Sequence, residues 1–341
     1  MKKINNNIKC VDRYNSIRYN SIMEIKTLNE IIGQKSVIDT IKKMDENNIQ
    51  NMICCGPPGT GKTSTITAFV RERYGDYSNE MTMTINASAE RGIDTIRNKI
   101  RNFVSTISVG SVGVNIPKYK FIIMDEADAM TQDAQSMLRH IMEFYTHNSR
   151  FCLICNCIKK INTAIQSRCI LFSFSPLSYD DMLNRLTQIS ALYNLNIDES
   201  GFKTLWKLSC GDMRKLHNII KILPNDENID DTIICKYLNY PVEKTIKNIY
   251  KILFINDIKK SIEIINSIIN TNKFSLNDIL NEITVLLIDD LDNEVLSKNV
   301  VSYILLNMRT IEINMITSVN INLQINSLIS LFYIAMEENK Y

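Results

Sequence analysis

One stretch of the chain fits the phosphate-binding pattern G-x-x-x-x-G-K-[ST]. It runs Gly56-Pro57-Pro58-Gly59-Thr60-Gly61-Lys62-Thr63. In such a loop the glycines allow a tight turn whose backbone N–H groups point at phosphates, the lysine supplies a positive charge, and the threonine hydroxyl can bind Mg²⁺. The apolar run Met52–Cys55 predicts a buried strand before the loop, and Ser64–Val70 predicts a helix after it. This order predicts an α/β fold that binds a nucleoside triphosphate through the loop. Ser64, directly after the loop, is also expected to contact the nucleotide.

Length and composition limit the classes of protein to consider. With 341 residues, the chain is too long for one compact core and predicts two or three domains. Hydrophobic content of 45% and charged content of 22% are ordinary for a soluble globular protein. The net charge of +2 means that binding to nucleic acid needs a local patch of cations. No apolar run is long enough for a membrane span and the start is polar, so we expect an intracellular protein with no membrane partner.

The nine cysteines raise the question of a metal site. Cys152 and Cys155 have C-x-x-C spacing and Cys157 follows, but no second cysteine pair and no histidine pair at zinc spacing accompanies them. The run Phe151–Cys155 also has the character of a buried strand, where a cysteine behaves as a small hydrophobic residue. We therefore expect these thiols in the core and no zinc.

The glycines divide the chain into two architectures. All ten fall between Gly33 and Gly211. Before residue 176, short apolar runs alternate with amphipathic stretches, as in βαβ units. The candidate strands are Met52–Cys55, Met83–Asn86, Phe121–Asp125, Phe151–Cys155 and Ile170–Phe174. After residue 176, helical spacing predicts a small helical domain and a C-terminal helical domain. The aliphatic stripes of the latter fit either a core or an interface between subunits.

The third candidate strand ends in acids: Asp125 is its last residue and Glu126 follows directly. In phosphate-loop enzymes such a strand lies beside the loop strand and delivers its carboxylates to the metal and to the attacking water. The pattern therefore predicts that Asp125 and Thr63 hold Mg²⁺ and that Glu126 is the general base.

Apolar residues at helical spacing between positions 93 and 103 predict an amphipathic helix with cations on its other sides. These cations are Arg91, Arg97, Lys99 and Arg101. Arg97 and Arg101 are four residues apart and share one face. Such cations can follow a phosphate backbone without reading bases, or they can form an ordinary solvated face.

Together these motifs resemble the small subunits of replication factor C, the AAA+ clamp loader of eukaryotes and archaea. The resemblance covers residues 28 to 223 and adds further motifs to those above. They are Leu28–Gln34, Asn86–Ile93, Arg150–Asn156, Ser167-Arg168-Cys169 and Gly211–Lys215. The resemblance implies a AAA+ P-loop domain with a parallel sheet, a small helical lid domain and an all-helical collar domain.

The resemblance also implies roles that spacing alone leaves unassigned. Asn156 is similar to the sensor that orients the attacking water, and Arg168 resembles the arginine finger that reaches into the ATP site of the neighbouring subunit. Arg214 resembles the second sensor, on the lid over the nucleotide. The cations of the 93–103 helix fall where the family's helices follow primer–template DNA.

The family pattern implies domain bounds as well: a divergent N-terminal arm (1–27), the AAA+ domain (28–175), the lid (176–239) and the collar, an oligomerisation domain (240–341). The arm departs from the family's adenine-contacting motif, and Ala89 stands where the family usually has an acid.

The resemblance implies an ATPase subunit of a heteropentameric clamp loader. With ATP and Mg²⁺ it would load a sliding clamp onto primed DNA for replication and repair, in the nucleus or at another site of DNA replication. Two alternatives stay open: a scaffold subunit that binds ATP and lends Arg168 in trans, and another AAA+ DNA-remodelling motor. The intact Lys62, Thr63, Asp125 and Glu126 favour hydrolysis.

Overall fold

The computed structural model describes residues 27–44, 48–89, 93–106, 117–193, 195–224, 228–255, 257–317 and 320–338. The predicted arm, apart from Thr27, lies outside these ranges, and so does Arg91. The described chain separates into two compact units. One contains the residues up to Ile189 together with Trp206–Asn218, and the other contains Ser190–Leu205 together with the residues from Ile219 onward. The predicted domain bounds remain predictions.

The elements follow the alternation that the apolar runs predict. The strands are β1 (Met52–Cys55), β2 (Thr82–Asn86), β3 (Lys120–Asp125), β4 (Ser149–Cys155), β5 (Ile170–Ser173), β6 (Asn196–Ile197) and β7 (Asn228–Ile229). The first helices are α1 (Lys35–Lys42), α2 (Lys62–Tyr74), α3 (Ser78–Met81), α4 (Ile93–Ser105), α5 (Gln132–Phe144), α6 (Thr163–Gln166), α7 (Tyr179–Tyr193), α8 (Glu199–Ser209) and α9 (Met213–Ile220). The last helices are α10 (Asp231–Leu238), α11 (Glu243–Leu253), α12 (Ile258–Asn272), α13 (Leu276–Asp292), α14 (Lys298–Thr317) and α15 (Ile321–Glu338).

Strands β1 to β5 form one parallel sheet in the order β2-β3-β4-β1-β5. All five predicted strands are confirmed, and their ends agree within one residue except at the start of β4. There the strand begins at Ser149, two residues early, because the polar pair Ser149 and Arg150 is already in register with Lys120 and Phe121 of β3. The short parallel pair β6 and β7 of the second unit was not predicted.

Both faces of the five-stranded sheet are covered, which explains why its strands are continuous apolar runs. One face contributes Met52, Cys54, Phe121, Ile123, Cys152 and Ile154 to a core, and the other contributes Ile53, Ile122, Met124, Phe151, Leu153 and Cys155. As predicted, Cys152 and Cys155 are buried strand residues. Burial raises the pKa of both thiols, so they remain protonated at neutral pH.

A buried lysine at the start of β3 holds the end of α4. Lys120 Nζ donates to Phe103 O at 2.6 Å and to Thr106 O at 2.5 Å, and it lies 4.9 Å from the centre of the Phe103 ring. The C-terminal carbonyls of a helix lack partners inside the helix, so this ammonium group caps them. The contact fixes the helix that carries Arg97 and Arg101 to the strand that ends at Asp125.

Helices α11 to α15 of the second unit pack around a single apolar core of mainly aliphatic residues. The predicted stripes therefore form this core, while the interface alternative stays a prediction for exposed side chains such as Leu306 and Ile316. Two tyrosines bind acids of α13: Tyr240 donates to Glu282, and Tyr250 donates to Asp290, each at 2.6 Å. In the part of the chain that the structure describes, no helix has both the length and the apolar character of a membrane span.

Candidate active site

The carboxyl ends of three neighbouring strands bring the predicted nucleotide-binding residues together. β1 leads into the phosphate loop, β3 ends at Asp125, and β4 ends just before Asn156. Because these strands are parallel and adjacent, their ends meet at one edge of the sheet, where open α/β folds bind ligands. The Gly56 N–H donates to Cys155 O at 3.3 Å, which joins the start of the loop to the end of β4.

Lys62 is buried beneath the loop, and its ammonium group has three oxygen acceptors. Nζ donates to Gly56 O and Pro57 O at 2.7 Å each, and to Asn156 Oδ1 at 3.0 Å. Three is also the number of N–H donors on an ammonium group. Burial lowers the pKa of Lys62, and the positive charge of Arg214 acts in the same direction. The loop thus holds a desolvated cation whose present acceptors can be exchanged for phosphate oxygens.

The remaining loop residues form the turn into α2. Thr60 is buried and its hydroxyl donates to Pro57 O at 2.9 Å, while Pro58 is exposed. Gly61 precedes α2, and Thr63 and Ser64 belong to the first turn of that helix. Backbone N–H groups in a first helical turn lack partners inside the helix and lie at its positive end. The turn therefore offers an anion-binding site of the kind predicted from the motif.

Two oxygen donors for a divalent cation lie close together beside the loop. The Thr63 hydroxyl donates to Asp125 Oδ2 over 3.4 Å, and Asp125 is half-buried. A hydroxyl and a carboxylate are hard oxygen ligands, and Mg²⁺ typically takes few protein ligands and keeps several waters. The donor set therefore fits Mg²⁺.

Glu126 has an exposed side chain on a strained backbone. Its φ is +53°, in the left-handed region that a residue with a side chain rarely adopts. Its N–H donates to Asp125 Oδ1 at 2.9 Å, and the short 3₁₀ helix Ala127–Ala129 follows. Such strain persists only where the surroundings enforce it, and it is frequent at active sites. No sequence pattern predicts this backbone conformation.

Arg168 lies at the opposite edge of the sheet. β5 is parallel to β1, with Ile170 beside Met52 and Ser173 beside Cys55. Arg168 lies before the amino end of β5, whereas the phosphate loop follows the carboxyl end of β1. The length of a four-residue strand, about 10 Å, therefore separates the backbone of Arg168 from the phosphate loop along the strand direction. The guanidinium donates to Ala164 O at 2.6 Å and forms an ion pair with Glu143 at 2.6 Å. Arg168 is therefore not brought together with Lys62, Asp125 and Asn156 of its own subunit.

Arg214 is an exposed residue in the first turn of α9, and this helix begins against the phosphate loop. The Met213 N–H donates to Gly59 O at 3.2 Å, and the Arg214 N–H donates to Asp212 Oδ1 at 2.7 Å. The positive charge of Arg214 also lowers the pKa of Lys62, so the two cations repel each other. An anion bound near both would relieve this repulsion.

The basic residues of α4 are exposed, while its Ile96 and Ile100 are buried, as the spacing predicted. Arg97 and Arg101 lie about 40° apart around the helix axis, and Lys99 lies about 160° from Arg101. The two arginines therefore form one flank and Lys99 the other.

Two contacting residues were missed by sequence reasoning, namely Asp212 and Glu143. Asp212 lies within the Gly-Asp-Met-Arg motif, but nothing in the motif indicates that its carboxylate touches Gly59. Glu143 lies at the end of α5, far from Arg168 in sequence, and only the fold brings the two together.

A side chain added at Gly59 would collide with the carboxyl group of Asp212, which predicts a loss of stability. The φ of Gly59 is +70°, and an added Cβ would stand 1.6 Å from Asp212 Oδ1. Gly61 is a matched control, because its backbone is also left-handed, with a φ of +92°, and no atom lies within 4 Å of an added Cβ. Left-handed backbone costs a non-glycine residue about 1–2 kcal/mol, so Gly61→Ala is expected to lose that much stability and Gly59→Ala distinctly more. Denaturant unfolding of both variants checks this, and equal losses would contradict the contact.

Comparison with known proteins follows the same division of the chain. Residues 52–177 match the AAA family, the ATPase family associated with various cellular activities, and residues 241–330 match the replication factor C C-terminal domain. The chain is 36% identical over 315 residues to human replication factor C subunit 5, which covers 92% of this chain and 90% of that relative. It is 37% identical over 277 residues to replication factor C subunit 3 of Saccharomyces cerevisiae, covering 79% and 80%.

A solved structure shares the fold at low sequence identity. The RuvB Holliday junction branch migration motor of Thermotoga maritima aligns with a TM-score of 0.52 over 77% of this chain and 90% of that chain, at 16% identity. At that identity the similarity concerns the fold alone.

The phosphate loop, the parallel sheet and the AAA match define an ATP-hydrolysing enzyme of the AAA+ class. Relatives at 36–37% identity cover most of the chain, and its C-terminal part matches the replication factor C domain. The chain therefore belongs to the replication factor C family, as an ATPase subunit of a multi-subunit clamp loader.

Proposed function

We propose that this chain binds ATP with Mg²⁺ and hydrolyses it within a heteropentameric clamp loader, which places a sliding clamp on primed DNA for replication and repair. The proposal puts its activity inside the cell at sites of DNA replication, which in a nucleated cell means the nucleus. The observation that carries it is the meeting of Lys62, Asn156 and Asp125 at one sheet edge, with Arg168 at the other.

The first step is exchange of partners at Lys62. When ATP enters, its β- and γ-phosphate oxygens replace Gly56 O, Pro57 O and Asn156 Oδ1 as acceptors for the ammonium group. The backbone N–H groups of the loop and of the first turn of α2, including Ser64, bind the remaining phosphate oxygens. The exchange frees the Asn156 amide to orient a water near the γ-phosphate.

Metal binding and base catalysis use the end of β3. Thr63 and Asp125 would hold Mg²⁺, which neutralises charge on the β- and γ-phosphates. Glu126, held outward by its left-handed backbone, would accept a proton from the attacking water. Arg214, at the start of α9, would place a second cation on the phosphates opposite Lys62.

Arg168 would act on the ATP of a neighbouring subunit. A guanidinium at the amino edge of its own sheet is too far from its own phosphate loop, and a ring of subunits brings such an edge to the next site. Hydrolysis then depends on assembly, because the isolated subunit lacks the guanidinium of a neighbour, which would add to Lys62, Arg214 and Mg²⁺ in stabilising the charge that develops in the transition state.

The proposed DNA contact is the exposed flank of α4, with Arg97 and Arg101 as phosphate ligands. Lys99 on the other flank and Arg91 are also proposed to contact DNA phosphates. Neither arginine reads a base in this scheme, so binding follows the backbone of the primer–template duplex without sequence preference.

Clamp loading itself is the test of the proposal. The chain is reconstituted with its partner subunits, labelled clamp and a primed circular DNA, and clamp that remains on the DNA is counted after gel filtration. ATP is expected to support retention and ADP is not. Retention that is equal with ADP, or absent with ATP in a complex that binds both clamp and DNA, would contradict the proposal.

The arginine flank of α4 gives a second prediction. The slope of log Kobs against log salt is negative, and each lost phosphate contact makes it less steep by about 0.9. Arg97→Ala and Arg101→Ala are each expected to reduce the steepness by that amount in the assembled complex. Lys35→Ala, an exposed lysine of α1, removes the same charge elsewhere. A salt titration of DNA binding measures all three, and equal slopes for the three variants would remove α4 from the DNA interface.

A further inference from the structure

The chain segment that leads into α9 lies directly on the phosphate loop. The Met213 N–H donates to Gly59 O at 3.2 Å. A Cβ on Gly59 would stand 1.6 Å from Asp212 Oδ1 and 2.2 Å from Asp212 Cγ. The carboxyl group of Asp212 therefore fills the volume beside Gly59 that a side chain would otherwise occupy.

The same carboxylate begins α9. Asp212 Oδ1 accepts hydrogen bonds from the Arg214 N–H at 2.7 Å and from the Lys215 N–H at 3.1 Å. Both belong to the first turn, whose N–H groups have no partner inside the helix, so Asp212 is the N-cap residue. One side chain thus sets both where α9 begins and how that beginning lies against the loop.

The other side of this segment is also confined. Gly211 has a φ of +77°, and an added Cβ would stand 2.8 Å from Leu177 N and 2.9 Å from Leu177 O. The Leu177 N–H donates to Gly211 O at 3.4 Å. The Gly211–Asp212 segment is therefore held between the Leu177 backbone and the Gly59 turn, with little room to shift.

The charge of Asp212 has a cost that its contacts offset. A carboxylate beside a phosphate-binding loop repels anions, but the backbone N–H groups of Arg214 and Lys215 donate to it and compensate part of its charge. An asparagine at this position would keep the cap and the shape without the charge. If Asp212 acts by fixing where α9 begins, the negative charge of residue 212 is dispensable, whereas its capping oxygen is required.

We propose that Asp212 is a positioning residue for Arg214, which couples the conformation of the phosphate loop at Gly59 to the location of the Arg214 guanidinium. A shift of the loop on nucleotide binding then moves the start of α9 with it, and Arg214 follows. The inference rests on the proposed role of the loop and of Arg214 in binding nucleotide.

The experiment measures the affinity of the full-length chain for a fluorescent, non-hydrolysable ATP analogue. The variants are Asp212→Ala, Asp212→Asn, Arg214→Ala and the double variant Asp212→Ala/Arg214→Ala. Loss of the cap in Asp212→Ala is expected to weaken affinity about fivefold, the size of an ordinary cap loss, while Asp212→Asn binds like the unchanged chain. If Asp212 acts through Arg214, the double variant binds no more weakly than Arg214→Ala alone.

Two results would overturn the inference: full affinity in Asp212→Ala, or losses in the two single variants that multiply in the double variant. If Asp212→Ala fails to fold, Asp212→Gly replaces it in the cycle, since glycine also removes the capping oxygen but at a smaller cost in helix stability. Lys62→Ala tests the proposed nucleotide site independently of Asp212. Unchanged affinity in Lys62→Ala would contradict the proposed nucleotide site itself, whatever Asp212 does.

Discussion

ATP turnover at this subunit's site is expected to fall at least about a hundredfold when Glu126 is replaced by glutamine, because general base catalysis typically contributes 10²–10⁴-fold. Glutamine has the same shape but cannot accept the proton of the attacking water. The exposed side chain of Glu126 makes no contribution to the core, and its backbone is already held by the Asp125 hydrogen bond. Stability and nucleotide affinity should therefore change little.

The measurement uses a reconstituted complex in which the phosphate-loop lysines of the other subunits are replaced, so that only this site turns over. Asp133→Asn, an exposed acid in the first turn of α5, removes the same charge nearby and serves as the control. Unchanged turnover in Glu126→Gln with intact nucleotide binding would assign the base elsewhere. Turnover too low to measure in the unmodified site would favour the scaffold alternative.

The largest effect is expected from Arg168→Ala, which should slow hydrolysis at the neighbouring subunit's site by about a thousandfold or more. Arginine fingers contribute 10³–10⁵ in kcat, since they stabilise charge that develops only in the transition state. Nucleotide affinity of this subunit's own site should be unaffected, because Arg168 lies at the far edge of its sheet. Arg168→Lys should recover only part of the rate, since an ammonium lacks the planar fork of donors.

The ion pair between Arg168 and Glu143 supplies a graded control. Both side chains are well exposed, and exposed pairs contribute little because water screens them. Glu143→Gln is therefore expected to change the neighbour's turnover less than about fivefold, far below Arg168→Ala. Single-site turnover in the complex measures each variant. Comparable losses in Glu143→Gln and Arg168→Ala would contradict a transition-state role for the arginine and indicate a structural one.

Much of the fold was predictable because its signals are local. The strands are apolar runs buried on both faces, and the phosphate loop carries its glycines and lysine within eight residues. The parallel order also made it possible to expect Asp125 near the loop. Asn156, Arg168 and Arg214 were assigned only through the family resemblance, because a single asparagine or arginine has no pattern of its own.

The rest depends on contacts between residues that are far apart in the sequence. The Lys62–Asn156 hydrogen bond, the Lys120 cap on α4 and the seat of Asp212 beside Gly59 each join elements that only the tertiary fold brings together. The left-handed backbone at Glu126 is similar in kind, since nothing in Asp-Glu-Ala favours it and the surroundings must enforce it. These long-range contacts also position the residues of the candidate active site and of α4.

The fold alone does not distinguish a clamp loader from other AAA+ machines, since RuvB shares it at 16% identity. Family membership rests instead on identity over most of the chain and on the C-terminal match. The proposed dependence of hydrolysis on an arginine supplied by a neighbouring subunit can be tested directly.

That test is ATP turnover by the isolated chain and by the chain assembled with its partner subunits, each with and without clamp and primed DNA. We expect negligible turnover by the isolated chain, turnover in the assembly, and a further rise when clamp and DNA are both present. Robust turnover by the chain alone, unchanged by partners, clamp or DNA, would contradict this expectation and identify an independent AAA+ motor.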